Sequence, residues 1–265
     1  MRHEHPFAKR SLGQNFLVDE GVIQNIVEAF APTKSDAVLE IGPGRGALTA
    51  QLVERAERVY ALEFDRHLAR VLAERFAGRD SFALIEDDAL HIDFAAIERD
   101  GRKLRLIANL PYNISTAILQ RLFEYTDTFE DCVLMFQREV VDRITAAPGT
   151  KDRGYLTVLV EAYFQVERIF DVAPDAFRPA PKVWSSVVRL VPKTEVIPNA
   201  SAFQSLLAAG FAQKRKTILN NLKIKYPDSE GLLLNSGIDP GRRAETLSLE
   251  EWQRLADAIG ENTQG

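Results

Sequence analysis

The sequence predicts an α/β protein built on a doubly wound parallel sheet, followed by a small all-helical domain. Three observations carry that prediction. From Ala37 to Ile144, short apolar runs alternate with stretches of helical period, the pattern of successive βα units. A glycine-rich turn, Gly42-Pro43-Gly44-Arg45-Gly46, stands between the first of these strands and its helix. Beyond Pro192 the strand pattern ceases and the period becomes helical throughout.

A chain of 265 residues suits one large domain with an appendage. The expected boundaries are 1–192, with an N-terminal strap over 1–18, and 193–265. No apolar run approaches the roughly 20 residues of a membrane span, and Met1 to Pro6 lacks the apolar stretch of a signal peptide. Cys132 is the single cysteine, which excludes an internal disulfide and a thiolate metal cluster. Its apolar surroundings mark it as core filler, and a reducing, cytoplasmic setting is expected. The net charge of −5 argues against a uniformly basic nucleic-acid binder. Basic residues are nevertheless clustered at Lys9-Arg10, Lys151-Asp152-Arg153, Lys214-Arg215-Lys216, Lys223 with Lys225, and Arg242-Arg243. They form a phosphate-binding face if the fold gathers them.

In chain order, Lys9 to Leu17 reads as a strap or lid carrying the amides Gln14 and Asn15. Asp19 caps a helix with Val22, Ile23, Ile26, Val27 and Phe30 on one face, ended by Pro32. Ala37 to Ile41 is a strand, and the glycines after it let backbone approach a ligand closely. The second strand, Arg58 to Leu62, ends at Glu63, placed to accept hydrogen bonds from ribose hydroxyls. Gly42-x-Gly44-x-x-Ala47 with Glu63 also satisfies the dinucleotide fingerprint, so this half alone leaves a nicotinamide and an S-adenosylmethionine enzyme both open. The third strand, Phe82 to Ile85, gives way to Glu86-Asp87-Asp88-Ala89, where Asp88 is the preferred partner for an exocyclic adenine amine.

The fourth strand, Leu104 to Ala108, delivers Asn109-Leu110-Pro111-Tyr112 to a helix beginning at Ser115. Methyl transfer to an adenine N6 amine needs help, because the nitrogen lone pair is delocalised into the ring. Acceptors that hold the amino hydrogens aim that lone pair at an incoming methyl group. The Asn109 side-chain oxygen is one such acceptor. The Leu110 carbonyl, in a turn stiffened by Pro111, is the second, and Tyr112 would stack on the base. Hydride transfer has no use for this set.

A fifth strand, Asp131 to Phe136, a helix through Ile144, and a flexible basic loop from Pro148 to Gly154 follow. Next come a helix from Tyr155 to Phe164 and a strand near Val166 to Val172. The proline-stiffened segment Phe177 to Ser186 presents Phe177, Lys182 and Trp184. Phe177 is expected to wall a base pocket, and Trp184 is the better candidate for core packing. Ser186 to Leu190 is the last strand. After a linker from Lys193 to Ala200, helices carry a basic, amide-rich stripe over Ala212 to Leu222. The last helix opens with a Ser248–Glu251 capping box and is expected to stop at Gly260. No metal-ligand spacing occurs, and His3, His5, His67 and His91 receive no role.

These segments resemble the KsgA/RsmA family, the small-subunit (16S) ribosomal RNA adenine dimethyltransferases, over essentially the whole chain. The matching stretches are Ser11 to Leu17, Glu40 to Thr49, Glu63-x-Asp65, Asp88-Ala89, Asn109 to Thr116, Phe177 to Ser185, and Phe211 to Leu222. The chain departs from the family pattern at Ala117 and Arg45. The resemblance implies a Rossmann-like class I methyltransferase sheet with a final antiparallel strand. It implies S-adenosylmethionine as methyl donor, no metal, and dimethylation of two adjacent adenosines near the 3′ end of 16S rRNA in an assembling small subunit. Asn15, Leu17, Gly42, Gly44, Glu63, Asp88 and Asn109 would bind the cofactor. Asn109, Leu110, Pro111, Tyr112 and Phe177 would hold the target base. Lys151, Arg153, Lys182, Lys214, Arg215, Lys216 and Lys223 would meet RNA. A monomer is expected. The competing readings are an Erm-type large-subunit rRNA methyltransferase and a non-catalytic RNA-binding assembly factor on the same scaffold.

Overall fold

In this computed structural model, residues 14–97, 101–195, 197 and 199–262 are described; Lys9 to Gly13 of the expected strap lie outside them. Phe16–Leu17 forms a short strand, β1. Asp19 caps α1 (Glu20–Phe30) by accepting from the Val22 amide at 2.9 Å. The alternating elements follow as β2 (Ala37–Ile41), α2 (Thr49–Arg55), β3 (Arg58–Leu62), α3 (Arg66–Arg75), β4 (Phe82–Ile85), β5 (Leu104–Asn109), α4 (Ser115–Leu122), β6 (Phe129–Gln137) and α5 (Arg138–Ile144). Next come α6 (Tyr155–Tyr163), β7 (Phe164–Val172), β8 (Phe177–Arg178) and β9 (Ser185–Pro192). The helices α7 (Ala200–Gly210), α8 (Ile218–Leu222), α9 (Ser229–Asn235) and α10 (Leu249–Asn262) complete the described chain.

Seven strands make one sheet in the order β4-β3-β2-β5-β6-β9-β7. The pairs β4–β3, β3–β2, β2–β5 and β5–β6 are parallel, whereas β9 runs antiparallel to β6 with Met135 opposite Val187. The dinucleotide-binding sheet has no such antiparallel strand between its last two members. The strand order reverses between β2 and β5, so the ligand crevice lies beyond their carboxyl ends. Ile41 pairs with Ala108, which brings Gly42 and Asn109 side by side. The central strands are buried on both faces, as continuous apolar runs require, and Cys132 is core, as expected.

Two compact units result. One comprises the chain through Val141 together with Val166–Pro192; the other joins Asp142–Gln165 to Lys193 and beyond. The second unit resumes at Lys193, and the segment from Asp142 to Gln165 groups with the later helices. The reason is that α6 is apolar nearly all round, with Leu156, Val158, Leu159, Val160 and Ala162 buried, and packs with α7 and α10.

Two smaller differences matter. The basic stripe is not one helix: α7 ends at Gly210 and α8 begins at Ile218, so Lys214, Arg215 and Lys216 sit on the intervening loop. The capping box forms as expected, with the Ser248 amide donating to Glu251 Oε2 at 2.8 Å and the Glu251 amide to Ser248 Oγ at 3.3 Å. The helix it opens continues past Gly260 to Asn262; a Cβ at Gly260 would meet nothing within 4 Å, so no close approach demands a break there.

Candidate active site

The glycine turn is shaped by backbone that ordinary residues resist. Gly42, Gly44 and Gly46 have φ of +66°, +59° and +78°, where a Cβ is strained. The Gly44 amide donates to Glu63 Oε2 at 3.1 Å and the Asp65 amide to Glu63 Oε1 at 2.9 Å. Glu63 therefore ties the glycine turn to the start of α3. The carboxylate keeps acceptor capacity for a further donor, which fits the expected ribose contact. Burial raises its pKa. Behind it, Glu40 is fully buried and accepts from the Thr49 hydroxyl at 2.6 Å. Burial, reinforced by the negative charge of Glu63, pushes Glu40 up to about 7.

A cleft opens here. It brings together Asn15, Leu17, Gly42, Gly44, Glu63, Asn109, Leu110, Pro111 and Tyr112, nine residues that the sequence had placed at one site. A second cavity shares Gln14, Gly42, Glu63 and Pro111 with it and is lined by Asp87, Asp88, Ala89 and Phe64. Asp88 accepts from the Leu90 amide at 2.9 Å and meets His91 Nδ1 at 3.1 Å, so His91, given no role, supports an expected cofactor residue. Phe64, 61 % exposed, was missed from the sequence; an aromatic directly after the strand-end acid was the available signal.

At the turn, the Asn109 amide nitrogen donates to the Asn15 carbonyl at 3.4 Å, leaving the side-chain oxygen as the acceptor. The Pro111 carbonyl takes the Ile114 and Ser115 amides, both at 3.1 Å, and the Tyr112 carbonyl takes the Ser115 hydroxyl at 3.1 Å. The start of α4 thus consumes the carbonyls on the far side of the turn. Among the described residues no donor takes the Leu110 carbonyl. Tyr112 is half-buried, its hydroxyl 2.6 Å from Ser185 Oγ, and burial raises its pKa. That bond fixes the plane of the ring.

The strap is held over this cleft. Phe16 and Leu17 pair antiparallel with Arg178 and Phe177. A Cβ on Gly44 would stand 3.1 Å from the Phe16 ring, and the Arg45 guanidinium lies 4.4 Å from that ring's centre. Arg45, a departure from the family pattern, here braces the strap.

Three expectations are corrected. Phe177 does not face the cleft as an open wall: it is 1 % exposed, because its ladder with Leu17 draws it into the core. Trp184, expected inside, is 45 % exposed. Arg153 is not on an RNA-facing loop. Its side chain is 1 % exposed, donates to the Ala146 and Leu247 carbonyls at 3.2 and 3.3 Å, and pairs with Glu161 at 2.7 Å. Lys151, Lys182, Lys214, Arg215, Lys216 and Lys223 are exposed. Lys182 belongs to the first unit and the other five to the second. Among the described residues no cluster of acids, histidines and cysteine could hold a metal ion, and no helix is long and apolar enough to cross a membrane.

The residues fit S-adenosylmethionine better than a dinucleotide. Two buried carboxylates, Glu40 and Glu63, line the glycine-turn cleft. Where ionised, they favour a cationic ligand. Gly42 has only Asn109 O and Pro111 Cδ near its missing Cβ, each at 4.0 Å, so a ligand can lie against its backbone. Phe64, Ala89 and Leu90 offer apolar contact to a purine, with Asp88 beside them to accept from an exocyclic amine.

Sheet order, glycine turn and acid-lined cleft define a class I methyltransferase. Residues 7–261 match the family model described as ribosomal RNA adenine dimethylase, and the chain belongs to that family. Ribosomal RNA small subunit methyltransferase A of Methylococcus capsulatus is 45 % identical over 259 residues, covering 97 % of this chain and 98 % of the relative. Its counterpart in Acidobacterium capsulatum is 43 % identical, covering 94 % and 92 %. Among solved structures, a dimethyladenosine transferase from Plasmodium falciparum superposes with a TM-score of 0.78 at 25 % identity, covering 94 % of this chain and 98 % of that one. The 23S rRNA methyltransferase ErmE superposes at 0.70 with 28 % identity, covering 93 % and 100 %.

Proposed function

We propose that this enzyme uses S-adenosylmethionine to dimethylate N6 of two adjacent adenosines near the 3′ end of small-subunit rRNA. In this reading it acts as a cytoplasmic monomer, without a metal, on an assembling small subunit. The observation that carries the reading is the strand-end turn. There the Asn109 side-chain oxygen and the Leu110 carbonyl remain as acceptors in the cleft that Glu63 and the glycines line. The relatives named for the small subunit favour that RNA over the large-subunit RNA named for ErmE.

When bound, S-adenosylmethionine supplies an electrophilic methyl group on sulfur. The chain's own residues do the rest. Gly42, Gly44, Asn15 and Leu17 enclose the donor, Glu63 holds its ribose, and Asp88 with Phe64 takes its adenine. Asn109 Oδ1 and Leu110 O accept from the target amine and turn its lone pair toward the methyl carbon. Tyr112, fixed by Ser185, stacks on the base. As the nitrogen–carbon bond forms, the donor's carbon–sulfur bond would break with its electron pair left on sulfur as a neutral thioether, and the amine proton, now acidic, would leave to solvent, so a strong general base is unnecessary. Lys151, Lys182, Lys214, Arg215, Lys216 and Lys223 meet RNA phosphates.

The test is to incubate the enzyme with labelled S-adenosylmethionine and either undermethylated small subunits or large-subunit RNA, then map modified adenines by mass spectrometry. Two adjacent dimethyladenosines in the small-subunit RNA are expected. Label confined to large-subunit RNA would overturn the substrate, and no label on either would favour a non-catalytic assembly factor.

A further inference from the structure

Trp184 is the observation left unused by the chemistry above. It is 45 % exposed, and its neighbours Lys182 and Val183 are exposed as well. Scattered exposed apolar residues are ordinary, but this one has a particular setting. Ser185, the next residue, is fully buried with its hydroxyl on the Tyr112 hydroxyl, so Trp184 adjoins in the chain the residue that holds the ring expected to stack on the target base. The Arg138 amide donates to the Trp184 carbonyl at 2.9 Å, which fixes the local backbone. The Arg138 guanidinium lies 5.9 Å from the indole centre and is itself exposed. All these residues belong to the first unit.

We propose that Trp184, with Arg138 and Lys182, is a docking site for an unpaired nucleobase flanking the target adenosine. The proposal rests on reading the cleft as one that methylates RNA. The chemistry is that of single-strand recognition, in which an aromatic face takes a base and neighbouring cations take the phosphates on either side. A base drawn into the cleft must leave its stack, and its neighbour then exposes an apolar face. Trp184 offers that face a partner, the Arg138 guanidinium lies over its ring, and Lys182, two residues earlier in the chain, adds a second exposed cation. The occupant is a nucleotide, because an apolar protein partner would gain nothing from the Arg138 cation over the ring or from the exposed Lys182 two residues along the chain.

Trp184 and Trp252 are the two tryptophans of the chain, and Trp252 is fully buried. Fluorescence therefore reads the proposal directly. Titrating the full-length enzyme with a short single-stranded oligoadenylate should quench emission, and the quenching should vanish in Trp184→Phe. A fully paired RNA duplex of the same length should quench little. In methylation assays, Trp184→Ala should raise KM for the RNA roughly tenfold, with kcat and the KM for S-adenosylmethionine unchanged within about twofold, and Trp184→Phe should restore most of the loss. The indole is on the surface and its backbone hydrogen bond survives substitution, so folding is not at stake. Equal quenching by duplex, or unchanged RNA KM in Trp184→Ala, would overturn the site and leave the methyltransferase reading intact. Absence of methylation by the unaltered enzyme would overturn that reading, and the quenching experiment would still decide the base-docking site.

Discussion

In the strand-end cleft, each acid is held at a defined distance: Glu40 by the Thr49 hydroxyl, Glu63 by the Gly44 and Asp65 amides, Asp88 by the Leu90 amide. On the loop between α7 and α8, Lys214, Arg215 and Lys216 stand exposed. The contrast separates two kinds of work. A reacting amine needs acceptors fixed before it arrives, since reorganisation at the moment of reaction raises the barrier. A phosphate backbone needs charge at roughly the right place, and exposed cations on flexible stems supply it. Loss of a cleft residue should therefore fall on kcat or on folding, and loss of a loop cation on affinity and its salt dependence.

The sharpest way to break this division is Asn109→Ala. Removing one fixed acceptor should lower kcat on the order of a thousandfold, while small-subunit binding, measured by co-sedimentation, stays within about threefold. Full activity would remove Asn109 from the chemistry. Equal loss of binding would mean that the cleft and the RNA-facing surface do not divide the work.

Glu40 turns the same contrast into a pH experiment. Its pKa is raised from 4.5 to about 7 in the folded protein. Between those values the folded state holds a proton that the unfolded state has released. Stability should therefore fall as pH rises from about 4.5 to about 7 and level off above. A shift of this size corresponds to about 3 kcal/mol. Glu63, raised in the same direction, adds to the slope. Glu40→Gln keeps an acceptor for Thr49 and has no proton to lose, so its urea midpoint should change much less between pH 5 and pH 8. The salt dependence of RNA binding should be untouched.

Arg153 tests the comparison from the other side, because it is a cation of the helical unit that behaves like a cleft residue. Arg153→Met leaves the Ala146 and Leu247 carbonyls without their donor and Glu161 without its cation. Glu161 is 38 % exposed, so water softens part of that loss. The expected destabilisation is about 2–3 kcal/mol, read as a lower denaturant midpoint, with the salt slope of RNA binding unchanged. A reduced slope with full stability would return Arg153 to the RNA-facing set.

The sequence reading succeeded where one stretch of chain decides the outcome. Apolar runs ended by glycine or proline located the sheet strands within a few residues. The order strand, Asn109-Leu110-Pro111-Tyr112, helix located the turn, and Glu63 fell at the end of β3. It failed where a distant partner decides. Arg153 looked like part of a solvated loop because the Leu247 carbonyl that buries it lies 94 residues away. Phe177 and Trp184 exchanged places because the β1–β8 ladder, between segments about 160 residues apart in the chain, has no local signature in two-residue strands. Lys214 to Lys216 looked helical because nothing nearby announces the buried Asn221. Its side-chain amide donates to the Gly210 and Gln213 carbonyls at 2.6 and 3.2 Å, and so caps the end of α7 and shapes the loop.

That loop gives the smallest expected effect. Replacing Lys214, Arg215 and Lys216 by Gln removes charge without introducing repulsion, and none of the three is buried. Stability should stay within about 0.5 kcal/mol, as for surface substitutions elsewhere, and kcat should not change. RNA affinity should fall at low salt and converge with that of the unaltered enzyme as salt rises, because each lost phosphate contact removes about 0.7–0.9 from the slope of log K against log salt concentration. The convergence is the informative part, since a lost hydrogen bond to a base would lower affinity by the same factor at every salt concentration. Parallel lines would show that this loop reads bases, and superimposable lines would show that it does not meet RNA.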